Sequence, residues 1–335
     1  MYSSCLSKWR KFHRVESRRT AVDLLKVYAE KFVRRRTLND DYRGYNSAFQ
    51  KALNAGVDIN AYCKRSRSVM VPKVRGEIVY GTYPVFEALK ANRRRIYKLF
   101  AKASVRGRAK QDDIIAEKIL RLANDNGVDI KTLNADQLDV LTEYQLHNGL
   151  CIDASPLAYE ELCDNDIVKG KIFPYLDNVL DPGNIGAIIR SCFYFGIDGV
   201  ILARDQGPKT LTSAMSKASA GALERFPVYT VEDFPSLRKR LRNVGFKFIA
   251  TSDENSAITK GYQSPIRLPD FRPISDKVVI FLGDERRGIA TDILGQCDYI
   301  VQIPTPSMEC ADCSIRSLNV SVSAAILLYH FLAKK

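Results

Sequence analysis

The stretch best suited to chemistry is residues 177–196, D-N-V-L-D-P-G-N-I-G-A-I-I-R-S-C-F-Y-F-G. An apolar strand over residues 172–179 runs into the turn L-D-P-G, in which Asp is a common helix N-cap and Pro fits the first helical turn. The predicted helix carries the amide of Asn184 and the guanidinium of Arg190, which lie about 120° apart around an ideal helix. Such a pair can hold a polar substrate. An ordinary strand–helix unit with a surface arginine explains the stretch equally well.

Two later loops present groups of the same kind. The apolar strand over residues 277–282 leads into G-D-E-R-R-G, where Glu285 is well placed to pair with Arg190. Asn319 begins the last helix in S-L-N-V-S, where an amide meets the unpaired backbone N–H groups of a helix start. Because ligands of parallel sheets bind at the carboxyl ends of the strands, we expect these loops and Thr251, which ends another predicted strand, to line one site.

These residue types exclude several common chemistries. No Ser–His or Cys–His pair accompanies the carboxylate, the guanidinium and the two amides, so they do not form a hydrolase triad. No lysine is placed as in a Walker A loop, and G-x-G-x-x-G is missing after the first strand. Only Cys310 and Cys313 among the eight cysteines form a C-x-x-C, and the three histidines are scattered, so we expect no metal site. Free thiols indicate a reducing compartment, and no apolar run is long enough for membrane insertion.

The elements that must position these loops alternate between strand and helix over residues 172–335. Predicted strands cover residues 172–179, 199–202, 225–229, 246–251, 277–282 and 299–303. Predicted helices cover residues 182–195, 210–221, 234–244 and 317–334, with a short one ending at residue 294. This alternation predicts an α/β domain with a mostly parallel sheet and crossover helices.

Residues 75–156 show the same alternation on a smaller scale, which predicts a small α/β domain. The polar, turn-rich residues 157–171 are then a linker to the larger domain. Nine cations and no acid lie in residues 90–110. A basic face of this kind can track the phosphates of RNA, although such charges can also simply solvate a surface. We favour RNA contact because acids are absent from the cluster.

Residues 1–70 form a basic N-terminal arm. They carry 16 Lys and Arg against six Asp and Glu, so most of the formal net charge of +13 lies there. The first 15 residues contain no acid and mix Lys and Arg with Leu, Trp, Phe and Val. That composition is typical of an organelle transit peptide and not of a secretory signal. The rest of the arm is weakly patterned, so it either contacts RNA or serves as a spacer.

Three stretches of the chain carry a family signature. They are L-D-N-V-L-D-P-G-N-I-G-A-I-I-R-S-C-F-Y-F-G (176–196), F-L-G-D-E-R-R-G-I (281–289), and I-P-T (303–305) with S-L-N-V-S-V-S-A-A (317–325). In order and spacing they resemble the SpoU/TrmH class of the SPOUT superfamily, the ribose 2′-O-methyltransferases of RNA. The upstream I-V-Y-G-T-Y-P-V-F-E-A-L and H-N-G-L look like parts of the family's substrate-binding domain. Within the class, the basic N terminus points to the mitochondrial large-subunit rRNA guanosine 2′-O-methyltransferases.

The resemblance implies a fold, a methyl donor and an assembly. The fold would contain a deep trefoil knot at the C terminus, the donor would be S-adenosylmethionine held by the knot loops, and the protein would be a homodimer with the active site near its interface. By matching motifs, the cofactor-binding residues would be Thr251, Gly283, Ile303 and Leu318. The catalytic group would be Asn184, Arg190, Glu285 and Asn319. The segment from Ile303 to Leu318 is longer than is usual for the class.

The implied reaction is attack of an RNA 2′-hydroxyl on the sulfonium methyl group, with no metal. The family picture has Arg190 draw off the hydroxyl proton, but arginine is normally always protonated. Arg190 would therefore either share the proton with a substrate phosphate or act as an electrostatic and positioning group that Glu285 orients. We expect rRNA in the mitochondrial matrix as the substrate. A tRNA methyltransferase of the same class and a non-catalytic RNA-binding ribosome-assembly factor are the alternatives.

Overall fold

The structure of the protein is a computed structural model that describes residues 69–102, 110–203, 207–231, 234–252, 257, 262, 264–272, 275–284, 288–304 and 317–333. The predicted N-terminal arm with its transit peptide therefore lies outside the described residues, apart from its last two positions. Glu285, Cys310 and Cys313 also lie outside them, as does most of the segment between Ile303 and Leu318.

A four-stranded sheet and three helices form what we call the N-terminal unit. The strands are Glu77–Tyr80 (β1), Ile96–Lys102 (β2), Ile130–Leu133 (β3) and Leu150–Ala154 (β4). The helices are Thr82–Ala91 (α1), Lys110–Asp125 (α2) and Ala135–Leu141 (α3). The strand order is β1-β4-β2-β3, with β4 antiparallel to both of its neighbours and β3 parallel to β2. The strand–helix alternation predicted for this part of the chain is thus confirmed.

An eight-stranded sheet forms the centre of the C-terminal unit. Its strands are Glu160–Glu161 (β5), Ile172–Asp177 (β6), Val200–Ala203 (β7), Val228–Val231 (β8), Lys247–Thr251 (β9), Ile266–Arg267 (β10), Val278–Gly283 (β11) and Tyr299–Gln302 (β12). The order across the sheet is β10-β12-β9-β11-β6-β7-β8-β5, and every neighbouring pair is parallel. The predicted parallel sheet is therefore confirmed.

Helices cover both faces of this sheet. They are Asp164–Lys169 (α4), Pro182–Phe195 (α5), Ser213–Ala218 (α6), Phe234–Asn243 (α7), Thr291–Leu294 (α8) and Val320–Ala333 (α9), with a 3-10 helix at Ala222–Glu224. One buried cluster joins α5, α6 and α9 to side chains such as Leu176 and Ile280. A second joins α7 and α8 to the other face through Tyr175 and Phe281. Burial on both faces explains why these strands are nearly continuous apolar runs.

Residues 157–171 do more than connect the two units. Glu160 and Glu161 of β5 pair with Tyr229 and Thr230 of β8, so the segment predicted as a linker supplies an edge strand of the larger sheet. It also contains α4, in which Ile167 is buried. A two-residue strand of glutamates has no apolar alternation, so no pattern in the sequence could reveal it.

Both ends of α5 are fixed by local sequence chemistry. Asp181 Oδ2 accepts a hydrogen bond from the backbone N–H of Asn184 at 2.8 Å, as expected of an N-cap. Gly196 ends the helix with a φ of 66°, a conformation that glycine adopts without strain. The helix that carries Asn184 and Arg190 therefore begins and ends where the sequence predicts.

Candidate functional site

Two predicted amides meet where α5 and α9 begin. The side-chain N–H of Asn319 donates to Asn184 Oδ1 at 2.9 Å. Asn319 Oδ1 accepts from the backbone N–H of Ser321 at 2.9 Å and from its hydroxyl at 2.5 Å, so Asn319 also caps α9. Because α5 follows β6 directly, the structure brings two of the four predicted catalytic residues together beside the carboxyl end of the sheet.

The loop after β11 is folded tightly against itself. Asp284 and Gly288 form a β-bridge, in which the Gly288 N–H donates to the Asp284 carbonyl at 2.8 Å. Gly283 packs against this bridge, because a Cβ added there would come within 2.3 Å of the Gly288 carbonyl carbon. Only glycine fits this position without a shift of the loop, so Gly283 is required for this tight turn.

A buried carboxylate that the sequence analysis did not single out anchors the same loop. Asp177 ends β6 and is 1% exposed, and its Oδ2 accepts from the Ala290 N–H at 2.7 Å. In the sheet register Asp177 lies beside Gly283. The signal in the sequence is an acid at the last position of an otherwise apolar strand, I-F-P-Y-L-D. Asp177 thus ties the loop after β11 to the strand that leads into α5.

Three of the four predicted cofactor-binding residues lie at adjacent strand ends. Thr251 ends β9, Gly283 ends the neighbouring β11, and Ile303 follows β12 on the other side of β9. The Thr251 hydroxyl donates to the Phe281 carbonyl at 3.0 Å, which holds this side chain against β11. Leu318, the fourth residue, lies just before α9 and is 47% exposed. Parallel strands bind ligands at this edge, and three of the four predicted positions lie along it.

Arg190 faces an open groove of about 580 Å³ between the two units. It lies nearly two helical turns beyond Asn184. The groove is lined by Glu87 of α1, by Phe193 and Tyr194 of α5, and by residues just after α6, in the 3-10 helix and in α9. Among the described residues Arg190 has no hydrogen-bonding or ion-pair partner. Its guanidinium is thus available to whatever enters the groove, and its predicted partner Glu285 lies outside the described residues.

Comparison with known proteins assigns both units. A family model described as the SpoU rRNA Methylase family matches residues 171–329, and one for RNA 2′-O ribose methyltransferase substrate binding matches residues 78–160. The 23S rRNA (guanosine-2′-O-)-methyltransferase RlmB of Acinetobacter baylyi is 30% identical over 258 residues, which cover 76% of this chain and 95% of that protein. The chain belongs to the SpoU family of rRNA methylases.

Further relatives of this SpoU chain are consistent with the assignment. Human "rRNA methyltransferase 1, mitochondrial" is 29% identical over 278 residues, which cover 79% of this chain and 75% of that protein. Among solved structures, the SpoU methyltransferase AviRb from Streptomyces viridochromogenes, in complex with AdoMet, matches with a TM-score of 0.57 and 20% identity. That match covers 77% of this chain and 89% of AviRb, so both units share the fold of a SpoU methyltransferase.

The basic cluster of this SpoU chain is divided between the surface and the contact between the units. We expected these cations to face RNA, but Arg94 is 2% exposed and Arg93 is half-buried, and both contact the C-terminal unit. Lys98 forms an ion pair within the N-terminal unit. Lys90 and Arg95 remain exposed. The prediction of an RNA-facing surface is wrong for Arg93 and Arg94, because residue type and spacing do not reveal which arginine is buried.

The described residues contain no group of three or more His, Cys, Asp or Glu side chains that could hold a metal ion. The four cysteines in the described ranges, Cys151, Cys163, Cys192 and Cys297, are free thiols. None of the helices described is both long enough and apolar enough to cross a membrane.

Proposed function

We propose that the protein transfers a methyl group from S-adenosylmethionine to a ribose 2′-hydroxyl of rRNA. The observation that carries the proposal is the contact between Asn184 and Asn319, which joins α5 to the end of the predicted cofactor loops in a chain of the SpoU family. A guanosine of the mitochondrial large-subunit rRNA is the proposed target. The name of the RlmB relative supports the guanosine, and that of the human relative supports a mitochondrial location. The matrix as the compartment, and residues 1–15 as part of a transit peptide, belong to the proposal.

The carboxyl edge of β12, β9 and β11 is the proposed site for S-adenosylmethionine, whose sulfonium supplies an activated methyl group. Gly283, Ile303 and Leu318 would meet the adenosine end through their backbone groups, with Thr251 nearby. The shape of this loop depends on Gly283, because a side chain there would collide with Gly288. The chain from β11 to α9 would form the deep trefoil knot that the three motifs imply.

The residues around the groove would orient and activate the ribose. A hydroxyl is a poor nucleophile until its proton is drawn off. Because arginine side chains are normally always protonated, Arg190 would bind a substrate phosphate that takes the hydroxyl proton and would stabilise the charge that develops on the oxygen. The new O–CH3 bond forms as the C–S bond of the sulfonium breaks. Glu285 would orient Arg190, while Asn184 and Asn319 would fix the substrate and the loop, so much of the rate would come from orientation.

A second copy of this chain is the proposed partner at the outer face of α5 and α9. Four residues of α9 and the segment before it form an exposed apolar stripe: Leu318, Val322, Ile326 and Tyr329. Tyr194 of α5 is 83% exposed and stands next to Phe195, whose ring lies 6.4 Å from that of Tyr329. Exposed apolar patches of this extent mark association surfaces. Because Tyr194 also lines the Arg190 groove, a homodimer formed here would complete the substrate site.

The proposal is tested by site-resolved mapping of 2′-O-methyl groups in mitochondrial rRNA with and without the protein. We expect one guanosine of the large-subunit rRNA to lose its methyl group when the protein is removed. A change confined to tRNA, or none in any RNA, would contradict it. In the purified enzyme, Arg190→Ala should abolish methylation while S-adenosylmethionine still binds. Arg121→Ala, which removes another exposed charge from α2, is the matched control and should keep most of the activity.

A further inference from the structure

A buried ion pair joins the two units of the protein. Arg94 follows α1 in the N-terminal unit, and Glu224 ends the 3-10 helix of the C-terminal unit. Arg94 Nε donates to Glu224 Oε2 at 2.6 Å, and its Nη2 donates to Oε1 at 3.0 Å. Both side chains are 0% exposed. Two parallel bonds between a planar guanidinium and a carboxylate fix orientation as well as distance, so this contact defines how the units face each other.

The remaining polar atoms of the pair are also satisfied. The Ser216 hydroxyl of α6 donates to Glu224 Oε1 at 2.6 Å. Arg94 Nη1 donates to the Ser155 carbonyl at 3.0 Å and binds the Glu77 carboxylate. Burial by itself lowers the pKa of Arg94, but the hydrogen bond and charge of Glu224, with the charge of Glu77, raise it overall. The guanidinium of Arg94 therefore stays charged.

Arg93, the residue before Arg94, binds backbone carbonyls of the same segment of the C-terminal unit. Arg93 Nη1 donates to the carbonyls of Leu223, Glu224 and Phe226 at 3.4, 3.5 and 3.2 Å. Its other terminal nitrogen binds Glu160 of β5. Two consecutive arginines thus bind both the side chain and the main chain at the end of the 3-10 helix. Apolar packing alone is non-directional and would let the two units slide against each other.

The segment held by these arginines also supports the helix that carries Arg190. At Gly186 of α5, an added Cβ would lie 2.6 Å from both the Ala218 Cβ and the Met215 carbonyl oxygen of α6, so α5 and α6 are in backbone contact. The Arg190 groove is lined by Glu87 from α1 on one side and by Ala220 next to α6 on the other. A continuous series of contacts therefore runs from the N-terminal unit through Glu224 to the helix that carries Arg190.

We propose that Arg94 and Glu224 are positioning residues that hold the N-terminal unit at a fixed distance and angle from Arg190, and so select which nucleotide of the bound RNA is methylated. The inference rests on the proposed function, because it assigns the N-terminal unit the binding of RNA and Arg190 the contact with the reacting ribose. Buried ion pairs contribute little net stability against an apolar pair of similar volume, and their best-attested use is to set register. A contact that sets the distance between the RNA-binding unit and Arg190 must set register in this way.

The test compares two variants of the full chain. Arg94→Lys keeps the charge but loses the two-pronged contact. Arg94→Met combined with Glu224→Gln removes both buried charges, so neither is left uncompensated. Both should fold and bind S-adenosylmethionine as the wild type does. On an rRNA fragment we expect kcat to fall about tenfold, since misplaced reactants lose rate, and methyl groups to appear at nucleotides next to the normal target. Small-angle X-ray scattering should show a larger radius of gyration.

Arg95→Ala is the matched control. It removes one positive charge next to Arg94, but the Arg95 side chain is exposed and its guanidinium lies over the Tyr97 ring of its own unit. It should alter KM at most and leave the methylated nucleotide and the scattering unchanged. Two outcomes overturn the inference: variants that methylate the normal nucleotide at the wild-type rate, or variants that no longer fold or bind S-adenosylmethionine, which would make the pair merely structural. If the wild type itself methylates no RNA, the proposed function fails. The scattering still shows whether the Arg94–Glu224 pair fixes the two units relative to each other.

Discussion

The side-chain NH2 group of Asn319 binds Asn184, while the amide oxygen of Asn319 caps α9. Its Oδ1 is committed to Ser321 at the start of α9, so its NH2 group must point outward, and that group donates to Asn184 Oδ1 at 2.9 Å. One side chain therefore starts a helix and connects it to the first turn of α5. This contact fixes α5, which would carry the substrate side of the site, against α9, which would carry the cofactor side. Replacing the side-chain nitrogen of Asn319 by oxygen would break it.

Asn319→Asp should separate the two duties of this residue. The carboxylate still accepts from Ser321, so the cap of α9 is kept, but it has no N–H to donate to Asn184. We expect the free energy of unfolding to change by about 1 kcal/mol or less, the size of one neutral hydrogen bond. Methyl transfer should fall about tenfold or more, because loss of orientation at the site costs rate. Thermal melts and single-turnover methylation measure the two effects.

Ser321→Ala is the control for Asn319→Asp. It removes the hydroxyl that donates to Asn319 but leaves the backbone N–H and the amide pair in place. It should lower stability slightly and leave the rate of methyl transfer close to that of the wild type. If Asn319→Asp turns over at the wild-type rate, or if Ser321→Ala is equally slow, the amide pair has no part in the reaction.

Gly283→Ala should weaken binding of S-adenosylmethionine. The new Cβ would lie 2.3 Å from the Gly288 carbonyl carbon and 2.5 Å from the Ile289 nitrogen, both of them backbone atoms that cannot rotate away. The loop must then open, and we expect the affinity for S-adenosylmethionine to fall at least about tenfold, which is about 1.4 kcal/mol. Isothermal titration calorimetry measures the change.

Gly127→Ala provides the comparison for Gly283→Ala. Gly127 has a φ of +66°, and a Cβ there meets nothing within 4 Å. Its substitution therefore costs only backbone strain, roughly 1 kcal/mol of stability, and lies in the N-terminal unit. S-adenosylmethionine affinity should stay at the wild-type value. An unchanged affinity in Gly283→Ala would remove this loop from the proposed cofactor site.

Ile326→Glu should convert the proposed dimer into a monomer. Ile326 lies in the apolar stripe of α9 and is 37% exposed, so a glutamate there can stay solvated in the monomer and the fold should hold. Buried in an interface, the same carboxylate would lack a partner and would destabilise association by several kcal/mol. Sedimentation velocity measures the mass. Ile114→Glu in α2 is the control, since Ile114 is 54% exposed but belongs to the N-terminal unit. A dimer that survives Ile326→Glu uses another surface.

Much of the fold follows from local rules that the sequence displays. The apolar strands, the N-cap at Asp181 and the stop at Gly196 predict the β6–α5 unit with nearly correct bounds. The sequence pattern fails where long-range contacts decide. Glu160 and Glu161 form a strand only because they pair with the edge of β8. Arg94 is buried only because it pairs with Glu224 where the two units meet. The loops of the candidate site were predicted as a group, but Asp177 was missed because one acid at a strand end has no periodic signal.

The free thiols should react in an order set by burial. Cys163 is exposed, whereas Cys151 and Cys192 are fully buried. Burial, with the charge of Asp153, raises the pKa of Cys151 to about 12, and burial raises that of Cys192 well above its ordinary range. At pH 8 iodoacetamide should therefore label Cys163 in minutes and leave Cys151 and Cys192 protected, as read by peptide mass spectrometry. Because both folded-state pKa values lie above those of the unfolded chain, this contribution to stability is complete below about pH 8.5 and is lost as the pH rises toward 12. Melting temperatures at pH 8 and pH 10 measure that loss. Rapid labelling of Cys151 in the folded protein at pH 8 would contradict the packing of β4 between β1 and β2.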